Sequence, residues 1–154
     1  MHSISIHPIE HRLVTTSISE AILYDTSAAP WSKMNVLVGP NNASFNQVGF
    51  SPTLGDYLIA AFDDNSMVIW DSVSMAQLWR VDASAGNTAS GTIPTGCKCF
   101  AVSQDEDLIA TGGWNAVQIW NLKSRVIVRE VTDASLLDGI AAVQFLGLSR
   151  VTCA

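Results

Sequence analysis

The sequence predicts an all-β chain made of repeated four-stranded antiparallel units. Three observations carry this expectation. Apolar residues come in runs of five to seven, rich in Val, Ile, Phe and Trp, separated by Gly, Asn, Asp, Ser and Pro. No window shows the 3.6-residue apolar stripe of an amphipathic helix. The runs also recur in a fixed order, because "HSISIHPIEHRLVTTSISEAILYD" (2–25), "NQVGFSPTLGDYLIAAFDDNSMVIWD" (46–71) and "KCFAVSQDEDLIATGGWNAVQIWN" (98–121) align.

Each unit opens on a short strand that ends in a turn marked by His7-Pro8, Ser51-Pro52 or Ser103-Gln104. A second strand, a short polar turn and a third strand follow. The third strand closes on Tyr24-Asp25, Trp70-Asp71 or Trp120-Asn121, pairs that are 46 and 50 residues apart. A fourth run comes after each: "MNVLVG" (34–39), "AQLWRV" (76–81) and "VIVREV" (126–131). A fourth copy starts at "IAAVQFLG" (140–147) and stops inside its second strand, "RVTCA" (150–154). The expected units are roughly 1–42, 43–83, 95–133 and a truncated 139–154, with 84–94 a Gly- and Ser-rich loop between the second and third.

The stretch "DDNSMVIWD" (63–71) tests this reading. Two acids, an amide and a hydroxyl before an apolar run could form a carboxylate cluster. Asp63, Asp64, Asn65 and Ser66 are equally the residues that bond their own backbone in tight turns. The run Met67 to Trp70 does not alternate, as expected of a strand buried on both faces between neighbouring sheets. The turn is the better reading.

Four strands in about 40–45 residues, ending in Trp-Asp, is the spacing of propeller blades. The chain resembles the WD40-repeat family over essentially its whole length, most closely in the second unit, where Asp64 sits six residues before Trp70. The resemblance implies that Asp64 closes the turn between the second and third strands. In the family that Asp belongs to a hydrogen-bonded set with Trp, Ser or Thr, and His. The pattern is incomplete here: Gly39-Pro40 stands where Gly-His is expected, and Trp114 replaces the turn Asp of the third unit. Three and a half blades do not close a ring, so the expectation is a partial WD40 propeller, a piece of a longer protein. Alone it would have two open apolar flanks and a free strand edge, and would aggregate or pack loosely.

The words at 63–81, 98–131 and 143–146, with "SISIHPIEHRLVTTS" (3–17), are further similar to the N-terminal repeats of an animal WD-repeat scaffold that carries a TBC domain. This implies a link to centrosomes, centriolar satellites and cilium formation, with a TBC domain and coiled coil after Ala154. The Arg and Gln fingers of active TBC domains are not expected within this chain.

Composition narrows the function classes. The 154 residues are 48% hydrophobic and 14% charged, with net charge −6, which argues against disorder. The 8 basic residues form no patch, so nucleic acid is not an expected partner. The longest apolar run, "YLIAAF" (57–62), is far short of the roughly 20 residues of a membrane helix, and no membrane insertion is expected. "MHSISIHP" lacks the features of a signal peptide, and three cysteines suit a reducing compartment, so a cytoplasmic location is expected.

Each candidate for chemistry has a structural alternative. Cys97 and Cys99 could bind zinc or act in redox chemistry, and alternation would place both on one strand face. With only Cys153 besides, buried small apolar residues is the preferred reading. His2, His7 and His11 need not converge, and His7 before Pro8 is expected to cap a turn. No G-x-S-x-G elbow or phosphate loop occurs. Asn42-Ala43-Ser44 fits the glycosylation pattern, which matters only in a secretory lumen. Of the inner-strand residues that a channel enzyme would use, Lys98 is the one charged group, and an acid–base pair is missing. Trp70 and Trp120 are expected in the core. Trp31, Trp114 and Asp63 are the partner-contact candidates, the last two on second-to-third-strand turns.

The expectation is therefore a non-catalytic scaffold for other proteins, with no cofactor, metal or small-molecule substrate. An adaptor in a ubiquitin-ligase or trafficking complex is the alternative, and a propeller enzyme comes after that.

Overall fold

A computed structural model of the chain describes residues 3–81, 97–114, 116–132, 139–147 and 150–153. The loop expected at 84–94 and residue His2 lie outside them.

Among the described residues fourteen strands appear in the order of the repeat. The first sheet is β1 (Ile4–Ile6), β2 (Arg12–Thr16), β3 (Glu20–Asp25) and β4 (Ser32–Val38). The second is β5 (Phe45–Phe50), β6 (Tyr57–Phe62), β7 (Met67–Asp71) and β8 (Gln77–Val81). The third is β9 (Cys99–Val102), β10 (Leu108–Gly112), β11 (Ala116–Asn121) and β12 (Val126–Thr132), and β13 (Val143–Leu146) with β14 (Arg150–Cys153) forms a two-stranded fourth. In every sheet neighbours in sequence pair antiparallel, a simple meander. The third and fourth strands of each complete sheet slip register once, at Leu23/Tyr24, Ile69/Trp70 and Ile119/Trp120. An irregularity at the same place three times is a property of the repeat, and it bends the outer strand.

The core lies between sheets. Val14, Ala21 and Leu23 of the first sheet meet Val48, Phe50, Leu58, Ala60, Phe62, Val68 and Trp70 of the second. The other face of the second sheet, Ile59, Ala61, Met67 and Ile69, meets Phe100, Ile109, Trp120 and Leu122 of the third. Ala110 and Val117 then face Ile140 and Val143. Odd and even residues of β6 and β7 thus serve opposite interfaces, which is why 57–62 and 67–70 read as unbroken apolar runs. Phe62, Leu58, Ile59 and Val68 are completely buried, or nearly so.

The turns are fastened by short side chains. In the Asp64 turn, Ser66 donates to the Asp64 carboxylate through both its backbone N–H and its hydroxyl. Asn65 takes the left-handed region, φ 63°, which Asn tolerates. His7 is buried and caps its turn, with Nδ1 accepting from the N–H groups of Ile9 and Glu10. At Gly39, just before the Pro40 that stands in place of the family's His, a side chain would meet the Ala43 carbonyl oxygen at 2.1 Å. The 3-10 turn Pro40–Asn42 folds back against it, so glycine is required.

Candidate interaction face

In a four-stranded meander, second-to-third-strand turns and the connections between sheets gather at one end. First-to-second and third-to-fourth turns gather at the other. Asp63 and Trp114 stand at the first end, as expected. Trp31 sits between β3 and β4 and so lies at the opposite end, exposed and apart from the other two.

At the first end the inner strands border an opening of about 700 Å³, lined by Asp63, Asn65, Asn46, Lys98, Trp114 and the residues just before β13, among others. Asp63 is exposed, and its place is fixed by a reciprocal pair. Its N–H donates to the Ser44 carbonyl oxygen, and Ser44 N–H donates to Asp63 Oδ1, both at 2.9 Å. The carbonyl of Asn65 accepts from Cys97 N–H at 2.9 Å, tying this turn to the start of the third sheet. Lys98 N–H bonds the Gly112 carbonyl at 2.8 Å, and the Lys98 ammonium lies 3.3 Å from the centroid of the Trp114 indole.

The two cysteines depart from expectation. Cys97 packs between the second and third sheets, whereas Cys99 packs between the third and fourth. Alternation would have put them on one face, but β9 begins only at Cys99, so Cys97 lies outside the strand's two-residue period. Both thiols are free and buried, and burial pushes the ionisation of each upward. They remain neutral, the form least suited to metal binding or nucleophilic attack.

The inner strands carry a device that sequence reading did not single out. Each is a sheet edge, so alternate N–H and C=O groups point away from its own sheet and need partners. The preceding sheet supplies them. Ser3 Oγ bonds both the carbonyl and the N–H of Val48, at 3.2 and 3.4 Å. Gln47 bonds both groups of Phe100, at 3.1 and 2.9 Å. Ser3 and Gln47 occupy the same place in the repeat, as do Val48 and Phe100. At the next such place, Cys99 Sγ approaches the Ile140 carbonyl oxygen at 3.6 Å. The signal was present in "SISIHP" and "NQVGFSP", which hold polar residues inside apolar strands.

At the opposite end Glu106 plays a similar part. Its Oε1 accepts from the backbone N–H groups of Thr53, Leu54 and Gly55, at 2.9, 2.7 and 3.4 Å. Thr53 Oγ1 in turn donates to the Gln104 carbonyl at 2.6 Å.

Comparison with solved structures settles the architecture. The WD40 repeats of RRP9 superpose with TM-score 0.78 at 16% identity, covering 99% of this chain and 44% of that one. The chain folds as a partial WD40 propeller. The structure of U3-55K gives TM-score 0.77 at 15% identity, with the same coverage. No protein-family model matches the chain. In sequence, the blades are similar to TBC1 domain family member 31. The frog Xenopus tropicalis protein is 27% identical over 146 residues, and that of the fish Oryzias latipes 28% over 147. The chain spans 13% of the length of each, and each match covers 94% of this chain. The tetrad expected from the family survives in part, since Trp120 Nε1 donates to Thr111 Oγ1 at 3.1 Å in the third blade.

Proposed function

We propose that the chain is a non-catalytic protein-interaction module whose contact face is the end bearing Asp63, Lys98 and Trp114. One observation carries this reading: turns and connections of the second and third blades, with the approach to the fourth, assemble a concave, largely apolar opening around an indole that is 50% exposed. The titratable groups that line it are a carboxylate engaged with a backbone N–H, an ammonium resting on an indole, and a neutral thiol. Such a set suits recognition better than proton transfer. Trp31, at the far end, would serve a second and separate contact.

The similarity to TBC1 domain family member 31 supports placing the parent protein at the centrosome or cilium base, as the resemblance of the repeats implies. Proximity labelling with the full-length protein in ciliated cells tests both parts. A paired Asp63→Ala and Trp114→Ala variant is expected to lose a subset of neighbours at unchanged abundance, and centrosomal proteins are expected among those neighbours. An identical neighbour set for wild type and variant would remove the face. A set without centrosomal proteins would remove the location.

A further inference from the structure

We propose that the opening beside Trp114 receives an acidic peptide segment of a partner protein, with a carboxylate on Lys98 and an apolar side chain against the indole. The inference rests on the reading of this end as the contact face and specifies what that face selects.

Lys98 is the centre of the case. Its backbone is held at the start of the third sheet and its side chain is half-buried, with the ammonium against the Trp114 ring. Gly139 makes room for it: φ is +82°, and a side chain there would come within 2.8 Å of Lys98 Nζ. Burial strips water from a cation, and an indole face compensates only in part. Two other cations are matched, Arg12 with Glu10 at 2.8 Å and Lys123 with Asp107 at 2.6 Å. Among the described residues no carboxylate forms an ion pair with Lys98. A prepositioned, partly desolvated ammonium on a concave surface is suited to an incoming carboxylate.

The surroundings fit a peptide. Asn46 and Asn65 bring primary amides to the same opening, groups that can pair with a peptide backbone in both senses. Trp114 and Ala142, both exposed, offer apolar surface for a neighbouring side chain. Phosphate recognition fits less well. Among the described residues Lys98 is the one cation lining the opening, enough for one carboxylate, whereas nucleic acid affinity grows with the number of neutralised phosphates.

The test uses the full-length protein and three fluorescein-labelled probes: a peptide containing Glu-Glu-Leu-Glu-Glu, its Gln-Gln-Leu-Gln-Gln counterpart, and oligouridylate RNA. Fluorescence anisotropy is expected to show saturable binding of the Glu peptide, at least tenfold tighter than the Gln peptide or the RNA. Lys98→Gln and Trp114→Ala are each expected to weaken it at least fivefold, and Lys98→Arg to retain it, with thermal transitions unchanged. No binding, equal binding of the two peptides, indifference to Lys98→Gln, or a preference for RNA would each overturn the proposal. If acid preference fails while proximity neighbours still depend on Asp63 and Trp114, the contact face stands and its acidic selectivity falls.

Discussion

Among single residues, Glu106 does the most for its size. It is buried, it adopts a left-handed φ of 57°, and its Oε1 gathers three N–H groups from the neighbouring blade. Left-handed backbone costs a non-glycine residue about 1–2 kcal/mol, so the carboxylate's bonds must outweigh that. Hydrogen bonds to charged groups contribute about 1.5–3 kcal/mol, and Thr53 and Leu54 are near enough to water to recover part of theirs. Glu106→Ala should therefore destabilise by about 2–3 kcal/mol, read from the urea midpoint. A shift below about 0.5 kcal/mol, the usual scale of surface substitutions, would show that the clasp is idle. The surface carboxylates act in the opposite regime. Asp71 is held below its ordinary pKa of 3.8, first by the Ser74 backbone N–H and then by the Ser74 hydroxyl. Ser27 lowers Asp25 and Ser103 lowers Asp105 in the same manner. A depressed folded-state pKa means the contribution is whole above 3.8 and is lost as pH falls through the lower folded value. The melting temperature should hold steady through the mildly acidic range and drop below about pH 4, and an Asp25→Asn, Asp71→Asn, Asp105→Asn variant should show a shallower drop.

Among elements, the inner strands decide how blades register. Apolar packing between sheets is tolerant of small slides, whereas Gln47 bonds both backbone groups of one residue, Phe100, and fixes a single setting. Gln47→Ala would leave two edge groups of β9 without those partners, and the expected loss is about 1–3 kcal/mol by urea unfolding. Gln47→Glu keeps an acceptor for Phe100 N–H but places a charge opposite a carbonyl, and should not restore stability. Recovery to the wild-type midpoint would show that the Phe100 carbonyl does not need its donor. The fully buried Phe62, shared by Phe45 at 4.8 Å between ring centroids, sets the upper end of the scale. Phe62→Ala should cost about 3–5 kcal/mol. Much of this was legible in advance. The strand order, the closing aromatic–Asp or aromatic–Asn pairs and the turn at Asp64 follow from local periodicity and turn chemistry. The polar residues of β1 and β5 were visible too, but not their purpose, because Gln47 and Phe100 lie 53 positions apart.

For the whole molecule, the decisive comparison is between equivalent positions in successive blades. Val48 and Phe50 are 3% and 8% exposed beneath the first blade, whereas Ile4 and Ile6, their counterparts in that blade, are 66% and 71% exposed. The surface is the same in kind, covered in the second blade and open in the first. An apolar sheet face of this sort associates with whatever matches it. The isolated chain is expected to self-associate, and an Ile4→Lys, Ile6→Lys variant should reduce light scattering at equal concentration. Unchanged scattering would mean that another surface drives association. Asp63 and Trp114 were placed together correctly because both belong to turns of one kind. Trp31 was grouped with them only by type, and the meander carries it to the other end. Cys97 and Cys99 were assigned one face from their spacing, and the late start of β9 separated them.

The amino-acid order alone settled that this chain makes strands in fours and buries both faces of its middle sheets, since alternation and turn propensity act between near neighbours. It could not say which blade would supply a bond to Phe100, what Glu106 would grip, or that Lys98 would rest on Trp114 beside a glycine. Those contacts join residues brought together only when the sheets stack, and the stacking itself chooses the partners.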